Sequence, residues 1–172
     1  MLLMISNTID SITSRIASAA KWVVLVLALI NCYEVVMRYL FNRPSIWVFD
    51  LSYMLGGTFF VLGMGYALLT KTHVRVDIFY VNLSEKSKAL LDILLSVVFF
   101  FPAFGLLLYK LVPWVIRSWE REERATGSFW LPPIYPFKSI ILIAVALLVL
   151  QGVSEICKDI NKLISKKNEA NQ

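Results

Sequence analysis

Four apolar runs, each long enough to cross a bilayer, dominate the chain: residues 22–41, 47–70, 89–111 and 134–156. At ~1.5 Å rise per residue, about 20 apolar residues cross a ~30 Å hydrocarbon core. None of the runs alternates with the period of two that an outer-membrane strand requires, so each reads as a helix. The runs take about half of the 172 residues, and what remains is short loops and tails. The chain therefore reads as a single domain, 1–172. Its composition of 58% hydrophobic and 17% charged residues departs from the ~45–50% and ~25% of soluble domains in the direction a membrane protein requires. The expected fold is an all-α integral membrane protein with four transmembrane helices.

Residues 1–21 do not read as a cleaved signal, because they lack an early basic region ahead of a short apolar stretch. Leu2, Ile5, Ile9, Ile12 and Ile16 recur at steps of three and four, with Ser6, Asn7, Asp10, Ser11, Ser14, Arg15 and Ser18 on the other side. That pattern predicts an amphipathic interfacial helix over about 2–20, lying on the membrane before Lys21 and Trp22 anchor the first span.

Lys and Arg set orientation. The side holding both termini carries ten of them and the opposite side seven. Both termini are therefore expected in the cytoplasm, with Lys158, Lys162, Lys166 and Lys167 beside an anionic leaflet. Membrane lipid accounts for the net charge of +5 without nucleic acid, since no basic groove or stacking platform stands apart from the span ends.

Glu34 lies inside the first span, where an ionisable group is costly unless paired. Arg38 follows four residues later in the favourable acid-first order, and Asp50 stands across a short connection. A Glu34–Arg38–Asp50 cluster clamping the first hairpin is the expected arrangement. In the second span, Ser52, Gly56 and Gly63 share a face that allows close helix approach, within the chain or against a partner. The loop after this span carries His73, the only histidine, and Asp77 in an alternating segment, before Ser84 caps the next helix. Beyond the third span, Arg117, Glu120, Arg121 and Arg124 extend the helix outside the membrane. The stretch from Gly127 to Pro136 then breaks it.

No phosphate-binding glycine loop, HExxH pair, CxxC motif or GxSxG elbow occurs, and one histidine cannot supply bis-histidine haem ligation. Neither an enzyme nor a cofactor is expected. Cys32 and Cys157 sit at different depths and are expected to remain free thiols.

Taken in order, Glu34-x-x-x-Arg38-Tyr39, Trp47 with Asp50, His73-Val74-x-Val76-Asp77 and the Gly127–Pro136 stretch resemble the small DctQ-type membrane subunit of tripartite ATP-independent periplasmic (TRAP) transporters. The resemblance runs from the first span to the fourth, with Asp50 where Glu is the commoner residue. It implies a sodium-coupled secondary transporter of the inner membrane importing an organic acid, sialic acid ahead of C4-dicarboxylates. It implies two protein partners, a large multispan permease subunit of elevator type and a periplasmic substrate-binding protein. The small subunit would scaffold the first and help dock the second through Arg117, Glu120, Arg121 and Arg124. Two other classes compete. One is a homodimeric four-helix exporter using Glu34 as its proton-coupled carboxylate, against which the adjacent Arg38 argues. The other is a membrane anchor for a redox complex, which the missing haem ligands disfavour.

Overall fold

A computed structural model describes residues 2–72 and 84–169. Its elements are α1 (Leu2–Tyr39), α2 (Val48–Leu69), α3 (Glu85–Leu95), a π-helical turn (Ser96–Phe100), α4 (Phe101–Glu120) and α5 (Tyr135–Glu169). α3, the π turn and α4 run on without a break, so four rods are long and apolar enough to cross a membrane. No strand occurs among the described residues. The four-helix architecture expected from the apolar runs is the architecture found.

Two boundaries differ from expectation. The surface helix expected at 2–20 and the span expected at 22–41 form one helix of 38 residues. Ala17-Ser18-Ala19-Ala20-Lys21 contains neither Gly nor Pro and includes strong helix formers, so nothing ends the helix there. At ~1.5 Å per residue the helix reaches ~57 Å, well beyond a single ~30 Å crossing. The helix leaving the third span, in turn, ends before the Gly127 stretch expected to stop it. Glu122 takes the left-handed conformation at φ 45°, with its N–H on the Trp119 carbonyl and the Glu123 N–H on the Ser118 carbonyl. These two bonds cap the last turn in a Schellman arrangement without a glycine.

Pro102 explains the π turn. It has no N–H and its ring collides with the carbonyl four residues back, that of Val98. Widening the preceding turn relieves the clash, and the Phe101 N–H reaches back to the Ser96 carbonyl. At the start of α3, Ser84 accepts the Ser87 N–H at 3.2 Å, the N-cap its sequence suggested.

α5 is the centre of the bundle, packing against α1, α2, α3 and α4. A third of its most apolar window is buried, 33%, whereas the third rod buries none of its own. The buried stripe of α5 runs through Ala144, Val145, Leu148, Gln151, Ser154 and Cys157, a helical repeat of small and medium side chains. Small residues draw the neighbours close. The Phe137 ring of α5 lies over Gly57 of α2 and beside Tyr53, and Gly152 of α5 receives the ring of Phe100 from the π turn.

Candidate functional site

The polar side chains gather at the two ends of the bundle. At the first end, one turn of α1 brings Glu34 beside Arg38, whose Nη2 and Nε donate to Glu34 Oε1 at 2.7 and 3.1 Å. The connection to α2 then folds back, and the Ser45 backbone N–H donates to Glu34 Oε2 at 3.0 Å. Tyr33 and Trp47 stack across the same corner at 5.8 Å, and Asn31 donates to Ser52 Oγ at 3.1 Å one turn deeper. The corner is closed by a buried carboxylate with both oxygens occupied.

Asp50 does not join this pair. It accepts instead from the Ser128 hydroxyl, in the loop between α4 and α5. Asp50 stands in the first turn of α2, where a negative charge is favourable, and a backbone N–H had taken the place the sequence reading gave it beside Glu34. The bond ties the first hairpin to the far loop, so its effect reaches further than a local clamp. That loop is itself closed by the Ala125 N–H on the Pro132 carbonyl and the Ile134 N–H on the Glu123 carbonyl, both at 3.0 Å.

Glu123 and Lys138 are an ion pair that the sequence reading did not single out. The buried Lys138 ammonium bonds Glu123 Oε2 at 2.5 Å and lies 4.0 Å from the Trp114 ring centroid. Trp119 adds a bond from Nε1 to Ser139 Oγ at 2.8 Å and packs on Tyr135. Trp114 and Trp119 thus lock α4 to α5. The Lys138 ammonium holds the Glu123 carboxyl below the usual carboxylate range. With the folded value depressed, its stabilising effect is complete above the unfolded value and is lost as pH falls through the folded one. Thermal unfolding followed from pH 7 downward should therefore show a loss of stability on the acid side. Glu123→Gln should flatten that part of the profile, and an unchanged acid limb would remove Glu123 as its source.

Arg117, Glu120, Arg121 and Arg124 are all exposed around the end of α4, and Arg124 also reaches the Leu131 carbonyl at 3.4 Å. Just beyond them Phe129 is 97% exposed, on a loop held by the bonds above. Gly56 and Gly63, by contrast, make no close contact within the chain, since a Cβ at either would meet no atom within 4 Å. Ser52 on the same face is engaged by Asn31. The close helix contacts of α2 use Gly57 and Gly65, the latter against Thr13 of α1. His73 and Asp77 lie outside the described residues.

At the second end, α1 meets α5 through a network missed in the sequence. Asp10 Oδ1 accepts from Ser154 Oγ at 2.7 Å and Gln151 Nε2 at 2.8 Å, while Oδ2 takes the Lys158 ammonium at 2.8 Å. Thr13 donates to Gln151 Oε1, and the Ser6 and Ser154 hydroxyls bond each other, each at 2.8 Å. Lys158 continues to Glu155 at 2.5 Å, and Lys71 after α2 lies 3.7 Å from the same carboxylate. A signal was present: Ser6, Asp10 and Thr13 at steps of four and three match Gln151, Ser154 and Lys158 at steps of three and four. Ser6 and Asp10 belonged to the polar side read as facing water. They face α5, while Leu3, Met4, Ile5 and Ile12 remain exposed.

These arrangements tie helices and loops together. Among the described residues no group of three His, Cys, Asp or Glu could hold a metal ion. A comparison with protein families matches residues 27–162 to the DctQ component of tripartite ATP-independent periplasmic transporters. The chain belongs to the DctQ family. Comparisons with curated proteins and with solved structures find no match. This DctQ chain is thus the small membrane component of a TRAP transporter, a multi-pass protein that works with two further components. The family region includes the Glu34 corner, the Lys138 pair and the α5 side of the second network. The residues that α1 contributes to that network, Ser6, Asp10 and Thr13, precede it.

Proposed function

We propose that the chain is the small permease subunit of a sodium-coupled TRAP importer of an organic acid, with sialic acid the first substrate to assay, in a bacterial inner membrane with both termini cytoplasmic. The family match over 27–162 carries this reading. The subunit's work is mechanical. An elevator-type permease needs a stationary part that resists tilting, and helices hydrogen-bonded at both ends with tryptophans at a boundary oppose tilt. Glu34 serves here as a clamp. Arg38 and the Ser45 N–H occupy its carboxylate, which disfavours its use as a proton-coupled substrate site.

Arg117, Glu120, Arg121 and Arg124 form the docking surface for the periplasmic substrate-binding protein. Their exposure at the end of α4 supports this role, since charges on such a surface set encounter rates. Reversing Arg117, Arg121 and Arg124 to Glu should reduce uptake by reconstituted transporter about tenfold at limiting binding protein, through slower encounter. The membrane complex should stay intact, and excess binding protein should restore uptake. Normal uptake at limiting binding protein would place docking elsewhere.

A further inference from the structure

Between α1 and α2, at the end of the bundle where Lys71 meets Glu155, lies a groove of about 680 Å³. Its floor is made of small residues from both helices, among them Ala17, Ala20, Gly63 and Ala67. Small residues usually let helices close on one another, but here the gap stays open, and a Cβ at Gly63 would meet nothing within 4 Å. Lys21 lines the groove together with Tyr66 and Thr70.

Lys21 follows Thr13 and Ala17 at steps of four, on the side of α1 whose Thr13 is buried against α5. Asn31 bonds Ser52, so in an antiparallel hairpin Lys21 falls level with Leu62. That is seven residues before the end of α2 at Leu69, or ~10 Å along its axis. A helical lysine leans toward the N-terminus of its own helix, which directs the ammonium toward Tyr66 and Thr70. No carboxylate lines the groove and no ion pair reaches Lys21 among the described residues. Lys21 is exposed at the groove, and a lysine ammonium near a span end suits an anionic lipid headgroup.

The groove also has the polarity of an amphiphile. The cation and hydroxyls stand at one end, and Phe59 with Gly63 continues toward the middle of α2. From Thr70 to Phe59 is ~16 Å along the helix. We propose that the α1–α2 groove binds an anionic phospholipid, its phosphate on Lys21 and one acyl chain along Phe59, Gly63 and Ala67. The site is independent of the transported substrate and of docking.

The test uses the full-length chain purified with its co-purifying partners and stripped of lipid by detergent exchange. Its thermal unfolding is titrated with phosphatidylglycerol, phosphatidylcholine or inorganic phosphate. Phosphatidylglycerol should raise the midpoint saturably, at concentrations at least tenfold lower than phosphatidylcholine, and inorganic phosphate should have no effect. Lys21→Gln should bring the two lipids to the same level. Gly63→Leu, which enters open space, should keep the folded protein and lose the saturable phosphatidylglycerol shift; it decides the matter if the Lys21 variant does not fold. Equal response to both lipids in the wild type, or an undiminished phosphatidylglycerol shift in Gly63→Leu, would overturn the proposal. If Gly63→Leu instead released the permease partner and left the lipid response intact, the groove would belong to a partner helix.

Discussion

Asp10→Ala should lower the unfolding free energy by about 3 kcal/mol, a large part of the ~5–15 kcal/mol that holds a typical domain folded. The carboxylate receives three side-chain bonds, from Gln151, Ser154 and Lys158, and its removal leaves the Gln151 amide donor without that partner while Ser154 keeps Ser6 and Lys158 keeps Glu155. A buried donor left without a partner costs ~1–3 kcal/mol, and an ion pair broken on one side ~3–5 kcal/mol. Hydrogen bonds in membrane proteins average nearer ~0.6 kcal/mol, and Lys158 retains Glu155, so the sum falls well short of additive. Asp10→Asn keeps an acceptor for Gln151 and Ser154 and loses only the charge facing Lys158, so about half the loss is expected. Thermal unfolding of the purified full-length chain measures both. If Asp10→Ala lies within ~0.5 kcal/mol of wild type, the network does not hold α1 to α5.

The second large effect is steric. A Cβ at Gly152 would clash with the edge of the Phe100 ring, which the π turn before Pro102 carries. Gly152→Leu should therefore destabilise by about 3 kcal/mol, the upper range for overpacking a well-filled contact. Gly152→Ala should cost less, because the gain in helix propensity of ~1 kcal/mol offsets part of the clash. Phe100→Ala should recover most of the loss in the Gly152→Leu background, which separates a local collision from general misfolding. Gly56→Ala serves as the contrast, since its Cβ would meet nothing within the chain and should be neutral or slightly stabilising. A Gly152→Leu protein as stable as wild type would show that the π turn does not fix Phe100 against α5.

Much of the fold was legible because the bilayer imposes a length rule that composition alone satisfies. Each expected span matches a single uninterrupted rod, overrunning its ends by two residues at most. The ends of the rods were less legible. The continuity of α1 depends on the absence of a breaker around Lys21, whereas a change in hydrophobic pattern there suggested a boundary. The end of α4 depends on Glu122 accepting a left-handed conformation that the sequence assigns more readily to Gly127. For the polar residues, spacing along one helix was informative and pairing across helices was not. Glu34 and Arg38 are four apart on α1, and their contact could be read directly. The Asp50–Ser128, Lys138–Glu123 and Asp10–Lys158 contacts join segments whose approach depends on how the rods pack around α5. The polar stripe of residues 2–20 was visible, but what it faces required the position of the fourth rod.

The role proposed for this chain is support of a larger membrane subunit. Purification from native membranes in a gentle detergent, followed by identification of whatever remains bound, tests that most directly. A large multispan permease recovered in stoichiometric amount is the predicted result. Recovery of a homodimer alone, or of a redox enzyme in place of the permease, would contradict it.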